Sequence, residues 1–294
     1  MAFTKKGDIL VPELLMEHLP GAFAGMSVMG KTGAAVINTS MPNGKSKVGD
    51  TIKVPYFDSI GELDDITTDG DALTPRALSD SDESATVRHS GIAIEATKWA
   101  QWSANSDPYA EGARQMAVAV ARRADKALIA VAEASGGSVL TNDVWNATPV
   151  NLTYDVFVDS LAKFDDEMEN LAALVVRSEV YASLLKMRDG DDRPLLVPNP
   201  NAGGLSSFLG VPVFVSNRLT KDVTNPSHPK YTSLLMKKGS LVFWMDGAAR
   251  VLTDSDILAD TDVAAMHIYW AAHRYKRLAD STLNGVVRII HNAE

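Results

Sequence analysis

The amino-acid sequence predicts an α+β fold. Three observations indicate this class: one long segment has the spacing of an amphipathic helix, several segments alternate like β-strands, and one region changes repeatedly between the two patterns. The chain has 294 residues, of which 46% are hydrophobic and 22% are charged. This length and composition exclude wholesale disorder and fit one large domain or two modest ones.

The composition also narrows the possible functions. The chain has no cysteine, which excludes disulfides, thiolate metal sites and cysteine nucleophiles. Its formal net charge of −9 argues against a dedicated nucleic-acid-binding protein, whose surface is basic. No stretch approaches the roughly 18 apolar residues of a membrane span, and acidic residues interrupt the first apolar run, so no secretory signal is predicted. We therefore expect a soluble intracellular protein with no membrane contact.

Residues 1–47 are predicted to form an N-terminal arm. The helical pattern at its start is stopped by Pro20-Gly21, and a stretch rich in Gly, Ala and Met follows. Too few large apolar residues lie here to build a core. The arm is therefore expected to pack on something else.

Residues 48–97 are predicted to form a long β-hairpin, the extended loop. Residues 51–57 alternate like a strand, and residues 86–95 are interpreted as the return partner. The connection between them contains nine acidic residues and one basic residue, Arg76. Such a connection cannot be a buried element, so its tip is expected in solvent or against a basic surface, and the ribbon is expected to lean on another chain. Trp99 and Trp102, near its base, are interpreted as packing anchors.

Residues 107–135 are predicted to form a long helix, the spine helix. Asp107 is a favourable N-cap, Pro108 fits the first helical position, and Gly136-Gly137 ends the pattern. Its apolar side consists mostly of alanines, which offer little area for burial. We expect a strut rather than a helix enclosed in a globule.

The second half of the chain is predicted to contain a compact α/β unit followed by a β-rich region. Helices are expected at about 154–170 and 179–187, and buried strands at 172–176 and 210–215. After a linker rich in Pro, Asn and Ser, further strands are expected at 233–237, 240–246, 249–253, 264–277 and 285–291.

Residues 25–32 match the phosphate-binding pattern G-x-x-x-x-G-K-[ST]. A working loop of this kind follows a buried strand and opens a helix. Here the preceding residues make a poor strand, and the following ones, soon cut by Pro42, make a poor helix. The context favours a mobile arm, and nucleotide binding is kept as a minor alternative.

The other candidate ion sites have simpler interpretations. Residues 65–70 are similar to a calcium loop, but Arg76 stands where a glutamate ligand is needed, so a solvated tip is favoured. The aspartates within residues 188–193 are flanked by arginines that neutralise them without metal. His267 and His273 share a strand face but lie roughly 20 Å apart. With no catalytic constellation, we predict a protein that is not an enzyme and has no cofactor or metal.

The order of these elements resembles the major capsid proteins of tailed bacteriophages, whose fold the cellular encapsulins share. The likeness extends over most of the chain and depends on order and spacing rather than on any single string. The segments that carry it are Val48 to Pro55 opening the hairpin, Val87 to Trp99 closing it, Asp107-Pro108 starting the spine helix, Ala271 to Arg277, and Gly285 to Ile289.

This resemblance implies a shell-forming subunit with an arm (1–47), an extended loop (48–97), a peripheral domain (98–150 and 232–294) and an axial domain (151–231). Copies would form hexamers and pentamers of an icosahedral phage head around double-stranded DNA, without sequence-specific contacts. The subunit would belong to the virion and assemble in the host cytoplasm. Scaffolding, portal and decoration proteins would be separate partners. The alternatives are an encapsulin-like compartment and a nucleotide-hydrolysing enzyme using residues 25–32.

We also expect the acidic tip of the extended loop to meet a basic surface on an adjacent subunit. The residues of the tip are Asp64, Asp65, Asp69, Asp71 and Arg76. The candidate basic partners are Arg122, Arg123 and Lys126 on the spine helix, or Arg274, Lys276 and Arg277 on the late strand.

Overall fold

A computed structural model gives the architecture of most of the chain. The described residues are 27–42, 48–57, 63–66, 73–104, 108–134, 140–145, 150–166, 168–188, 191–194, 196–198, 206–225, 228–247, 249–275 and 285–292.

The described part contains helices and strands in mixed order. The helices are α1 (Val28–Lys31), α2 (Lys98–Ser103), α3 (Pro108–Glu133), α4 (Tyr154–Ala162) and α5 (Ser178–Lys186). The strands of the first half are β1 (Ala35–Asn38), β2 (Thr51–Phe57), β3 (Asp80–Thr86), β4 (Arg88–Thr97) and β5 (Leu140–Asp143). Those of the middle are β6 (Leu171–Val176), β7 (Val197–Pro198), β8 (Ser206–Phe208), β9 (Val211–Val215) and β10 (Lys221–Asp222). The last are β11 (Lys230–Lys237), β12 (Leu241–Met245), β13 (Arg250–Asp256), β14 (Thr261–Arg274) and β15 (Val286–His291).

The first sheet is built around the long strand β14. Its order is β1-β12-β14-β13, and β4 pairs with β14 from Thr97↔Thr261 to Arg88↔Trp270. Helix α3 packs against this sheet, and its alanines allow close approach: Ala121 and Ala124 are fully buried. A Cβ on Gly112 would lie 2.5 Å from Cδ1 of Ile94 on β4, so a larger residue there would have to displace the end of the Ile94 side chain.

The spine helix prediction of 107–135 is confirmed within two residues at each end, but the expectation of a strut is wrong. One side of α3 is buried along most of its length, with Met116, Val120 and Leu128 in the main core. The carboxyl end is held by two arginines from the sheets: Arg274 donates to the carbonyls of Ala132 and Ala134, and Arg288 to that of Glu133. Cations suit this end because the last helical carbonyls have no intrahelical partner.

The second sheet contains strands β6 to β10 from the middle of the chain together with β5, β11 and β15. Its order is β5-β15-β11-β6-β9-β8-β7, with β10 beside β11. Strand β15 pairs with β11 and β5 in the second sheet and not with β14, which precedes it in the chain. The reason is burial: five of its six residues are buried, as befits a central strand and not an edge.

The helix expected at 154–170 is shorter than predicted. Thr153 caps its start by accepting from the amide of Val156, as the sequence suggests. The helix ends at Ala162 because the chain then turns, with Asp165 and Asn170 at positive φ. The prediction was too long because the polar residues after Ala162 still permit a helical pattern.

The hairpin pairing differs from the prediction. Strand β2 pairs with β3, which ends at Thr86, whereas residues 88–95 of the predicted return partner belong to β4 and pair with β14. Sequence reasoning missed β3 because its residues, Asp-Ser-Asp-Glu-Ser-Ala-Thr, have no strand-forming pattern. Val87 is the hinge between the two strands, and its amide and carbonyl bond to Asp50 and Gly49.

The base of the β2–β3 ribbon is anchored on its own chain, and the expected contact with another chain stays a prediction. Ile52, Ala85 and Val87 are buried against Val242 and Trp244 of the first sheet. Beyond this base, the described residues of the loop, 63–66 and 73–79, are exposed.

Candidate functional site

The segment that matches the phosphate-binding pattern is held by a buried carboxylate. Asp125 of α3 accepts hydrogen bonds from the Ser27 hydroxyl (2.7 Å) and from the amides of Val28 (2.9 Å) and Met29 (3.0 Å). Ser27 in turn accepts from the amide of Gly30 at 2.9 Å. The first amides of helix α1, which would face phosphate in a nucleotide-binding loop, are thus already bonded to an anion of the same chain.

The rest of this segment also departs from a nucleotide site. Helix α1 has four residues and leads into strand β1, which pairs in parallel with β12. Lys31 is exposed, whereas Met29 and Ala34 are fully buried in the main core. The expectation of a mobile arm is therefore wrong for residues 27–38, which pack in the main core and pair with β12, and the geometry does not fit phosphate binding. Residues 1–26 lie outside the described residues.

In the part of the chain that the structure describes, the segments considered as cation sites do not form a metal site. Asp191 and Asp192 lie near Arg193 (3.9 Å) and Arg188 (3.4 Å), the neutralisation expected from the sequence. The calcium-like segment lies largely outside the described residues, as does Asp189. Among the residues that the structure does describe, no group of three or more His, Asp or Glu could hold a metal ion. In the same residues, no helix is long and apolar enough to cross a membrane.

A basic cleft lies on the outer side of α3. It has a volume of about 510 Å³ and is lined by Ala119, Arg122, Arg123, Lys126 and Arg218. We call this surface the basic cleft. Three of its four cations were predicted as contact residues.

The fourth cation was missed because it is far away in the sequence. Arg218 follows strand β9 and donates to the carbonyl of Arg122 at 2.5 Å, across 96 positions. Arg123 lies over the ring of Trp270 at 4.7 Å, and its buried Nε has no hydrogen-bond partner among the described residues. These contacts hold the two guanidinium groups in place without neutralising them. The side chains given as lining the cleft are therefore cationic apart from Ala119.

Arg274, which belongs to the second set of predicted basic residues, does not line the basic cleft. Arg274 is half-buried at the end of α3, where burial lowers the pKa of its guanidinium and two carbonyls take its hydrogen bonds. Lys276 and Arg277 lie outside the described residues. Of the two predicted sets, only the one on α3 is seen to line an open surface.

The acidic tip is only partly described. Asp64 pairs with Arg76 within the loop, and both side chains remain about half exposed. Asp65 is exposed, and Asp69 and Asp71 lie outside the described residues. The exposed apolar side chains of the ribbon and its loop are Phe57, Leu63, Ile66, Leu73 and Leu78, which are 58–98% exposed.

Two histidine contacts were also missed. Nε2 of His89 lies 3.1 Å from Nδ1 of His267, because β4 pairs with β14. His273 lies 2.6 Å from the Glu83 carboxylate in a buried pair that joins β14 to the ribbon. Each pair spans more than 170 positions, so no local pattern could reveal it.

The tryptophans near the hairpin base are not packing anchors, contrary to expectation. Trp99 and Trp102 on α2 are 73% and 81% exposed, and their ring centroids are 5.8 Å apart. Helix α2 begins beside the turn between β13 and β14, where the Lys98 amide donates to the Asp260 carbonyl. Ile257 and Leu258 in this turn are 79% and 99% exposed.

The chain is similar to phage capsid proteins in sequence and in fold. The model of a family described as phage capsid protein matches residues 81–277. The chain is 23% identical over 286 residues to the major capsid protein of Bacillus phage SPP1, covering 93% of this chain and 86% of that one.

Solved capsid structures share the fold. The capsid of Ralstonia phage GP4 superposes with a TM-score of 0.63 at 11% identity, covering 90% of this chain and 88% of that one. The capsid of an empty GTA particle gives a TM-score of 0.66 at 15% identity, covering 91% of each chain.

Proposed function

This chain belongs to the phage capsid protein family, and we propose that it is the subunit that forms the hexamers and pentamers of an icosahedral head enclosing double-stranded DNA. The observation that carries the proposal, beside the family, is the exposed apolar surface of the ribbon. Five large apolar side chains within residues 57–78 have little burial on their own chain. A contiguous shell would cover them with sister copies.

We further propose that the two sheets correspond to two functional domains. The first sheet with α3 would be the peripheral domain, and the second sheet with α4 and α5 the axial domain around the capsomer centre. Strand β15 then belongs to the axial domain by its pairing with β11. The ribbon would reach from the first sheet to a neighbouring copy.

The acidic tip is proposed to dock on the basic cleft of that neighbour. The cleft offers four cations and no lining carboxylate, and the tip offers Asp64, Asp65, Asp69 and Asp71. Exposed ion pairs contribute only about 0–1 kcal/mol each, so their role is to set the register of the ribbon more than to strengthen the shell. The apolar residues of the ribbon would supply most of the binding free energy.

Charge reversal tests this contact. The double variant Asp64→Lys/Asp65→Lys should fold normally but fail to form regular shells under conditions in which the wild type forms them. Reversal of Arg122 and Lys126 to Glu in the same chain should restore assembly, because the attraction returns with opposite signs. The matched control is Asp155→Lys/Asp159→Lys, an equal charge change on the exposed side of α4. Negative-stain imaging is the measurement, and normal shells from the Asp64/Asp65 variant would contradict the docking.

Further partners are proposed on the same basis. Scaffolding, portal and decoration proteins would be separate chains, and assembly would take place in the host cytoplasm. With a formal net charge of −9, the subunit would hold DNA by confinement and not by neutralising phosphates. Nucleic-acid content of the isolated particles separates a phage head from an encapsulin-like compartment, which would instead contain an enzyme.

A further inference from the structure

We infer that His89 and His267 form a binding site for one divalent transition-metal ion of the kind that imidazole prefers, Cu²⁺, Ni²⁺ or Zn²⁺. The two residues, which we call the histidine site, lie where β4 pairs with β14 in the first sheet. The inference goes beyond the proposed shell function and does not depend on it, because both ligands belong to one chain.

The pairing of β4 with β14 brings the two rings together. His89 lies opposite Tyr269 in this ladder, and His267 lies opposite Gly91, so the two histidines are diagonal neighbours on one face. A Cβ on Gly91 would lie 2.7 Å from Nδ1 of His267. The lack of a side chain at Gly91 therefore leaves room for the His267 ring close to the backbone of β4 and beside His89.

The histidine site is open to solvent. Met266 and Ile268 of β14 are buried in the main core together with residues of α3. Because side chains alternate along a strand, His267 points to the opposite face of the sheet, away from α3. On that face His89 is exposed and His267 is half-buried, so a hydrated metal ion can reach both rings.

The separation of the two ring nitrogens matches a metal chelate. Nε2 of His89 lies 3.1 Å from Nδ1 of His267. Two metal–imidazole bonds of about 2.0–2.1 Å, at about 90–110° to each other, hold their nitrogens about 2.9–3.4 Å apart. Water completes the coordination. The sequence-based prediction of no metal considered His267 only with His273, and the histidine site has fewer protein ligands than the larger groups that are absent among the described residues.

The same separation suits a hydrogen bond in which one ring donates to the other. A metal ion takes the place of that shared proton. The donating ring moves its proton to its other nitrogen, so that both facing nitrogens offer a lone pair, and no proton is gained or lost.

Neighbouring side chains hold the rings in place before metal binds. The ring of His89 stacks on that of Tyr269, with centroids 4.7 Å apart and planes 18° from parallel. Arg250, which lies opposite His267 on β13, is a cation on the same face. Its guanidinium lies over Tyr269 at 5.5 Å and 3.6 Å from the Asp246 carboxylate, which partly balances its charge. Ligands fixed in advance lose less conformational entropy on binding.

A metal ion at the histidine site fastens the start of β4 to β14, just after Val87, the hinge of the ribbon. Since the unfolded chain does not hold the two rings together, the ion should stabilise the folded state increasingly as its concentration rises. Amide hydrogen exchange at the start of β4 should become slower for the same reason.

Isothermal titration calorimetry of the full, unassembled chain with Cu²⁺ and Zn²⁺ tests the inference. His89→Gln and His267→Gln should each weaken binding by at least about tenfold, because loss of even a supporting residue commonly costs about 10–100-fold in metal affinity. The matched control, His228→Gln, removes an imidazole outside the site and should bind like the wild type. Mg²⁺, which prefers oxygen ligands, should not bind to the histidine site.

Electron paramagnetic resonance of the Cu²⁺-loaded chain gives a second, direct readout, because each nitrogen ligand splits the copper signal. The wild type should show splitting from two imidazole nitrogens, and each single variant from one at most. Cu²⁺ and Zn²⁺ should also raise the Tm of the wild type but not that of His89→Gln/His267→Gln.

The outcomes distinguish the histidine site from a plain hydrogen bond between the rings. A wild type that binds neither ion, a copper signal without two nitrogen ligands, or single variants that bind as tightly as the wild type would each overturn the site. The wild-type spectrum alone can do so, whatever the variants show. Failure of the chain to form shells would count against the proposed function only, since every measurement here uses the unassembled chain.

Discussion

The buried histidine of the last strand predicts that acid weakens the second sheet. His291 has no exposed surface, and its Nδ1 lies 2.5 Å from the carbonyl oxygen of Asn292. Because a carbonyl only accepts, Nδ1 carries the proton, and Nε2 accepts from the Ser233 hydroxyl at 2.8 Å. Burial lowers the pKa of His291 to about 4, although the bond to Asn292 acts in the opposite direction.

The magnitude follows from the difference between the folded and unfolded states. Between a pKa of 6.5 in the unfolded chain and about 4 in the folded one, only the unfolded chain binds the proton. The contribution of neutral His291 to stability is therefore complete above about pH 6.5, decreases as the pH falls, and is lost below about pH 4. The full loss is about 3 kcal/mol, and about 2 kcal/mol should be lost by pH 5.

Urea unfolding of the unassembled chain, followed by circular dichroism between about pH 7 and pH 4.5, measures this loss. His291→Gln cannot titrate, so subtracting its free energy of unfolding from that of the wild type cancels the other titrating groups. The difference should shrink with falling pH by about 2–3 kcal/mol. His228→Gln, in a loop, is the control and should follow the wild type. A difference that stays constant with pH would refute the reasoning.

Three further perturbations test contacts that hold the scaffold. Arg274→Ala should lower the free energy of unfolding by about 1–3 kcal/mol, because the last carbonyls of α3 lose a charged donor. Arg274→Lys should recover only part of this free energy. Equal stability of the wild type and both variants would contradict the role assigned to Arg274. Asp125→Ala should cost about 2–4 kcal/mol and speed amide hydrogen exchange at Val28 and Met29, whose donors become unsatisfied; unchanged exchange would argue against the cap. Glu83→Ala should speed exchange in β3 but not in β6, since the bond to His273 joins the ribbon to the first sheet; equal exchange in wild type and variant would show that this bond does not hold the ribbon.

The features that could be predicted from the sequence are those set by residues close together in the chain. Features that depend on contacts between distant residues were missed. Helix α3 and strand β6 were found because periodic alanines and a continuous apolar run are local signals. Strand β3 was missed because its pairing is decided by β2 and by the buried Glu83, not by its own composition. Arg218 could not be placed beside Arg122 because only the folded chain brings them together. The capsid resemblance was confirmed, since element order and spacing also survive where individual residues do not.

The distribution of burial shows how folding and assembly are separated in this subunit. The two main cores contain many fully buried side chains, and α1 is capped by Asp125 of the same chain. Among the described residues, the most exposed large apolar side chains, at 73–99%, lie on the ribbon loop, on α2 and in the turn between β13 and β14. Because these side chains contribute little to the folded monomer, replacing them should change the concentration needed for assembly while leaving the unfolding free energy nearly unchanged. Core substitutions such as Phe157→Ala should do the reverse, lowering stability by about 3–5 kcal/mol before any effect on contacts between copies.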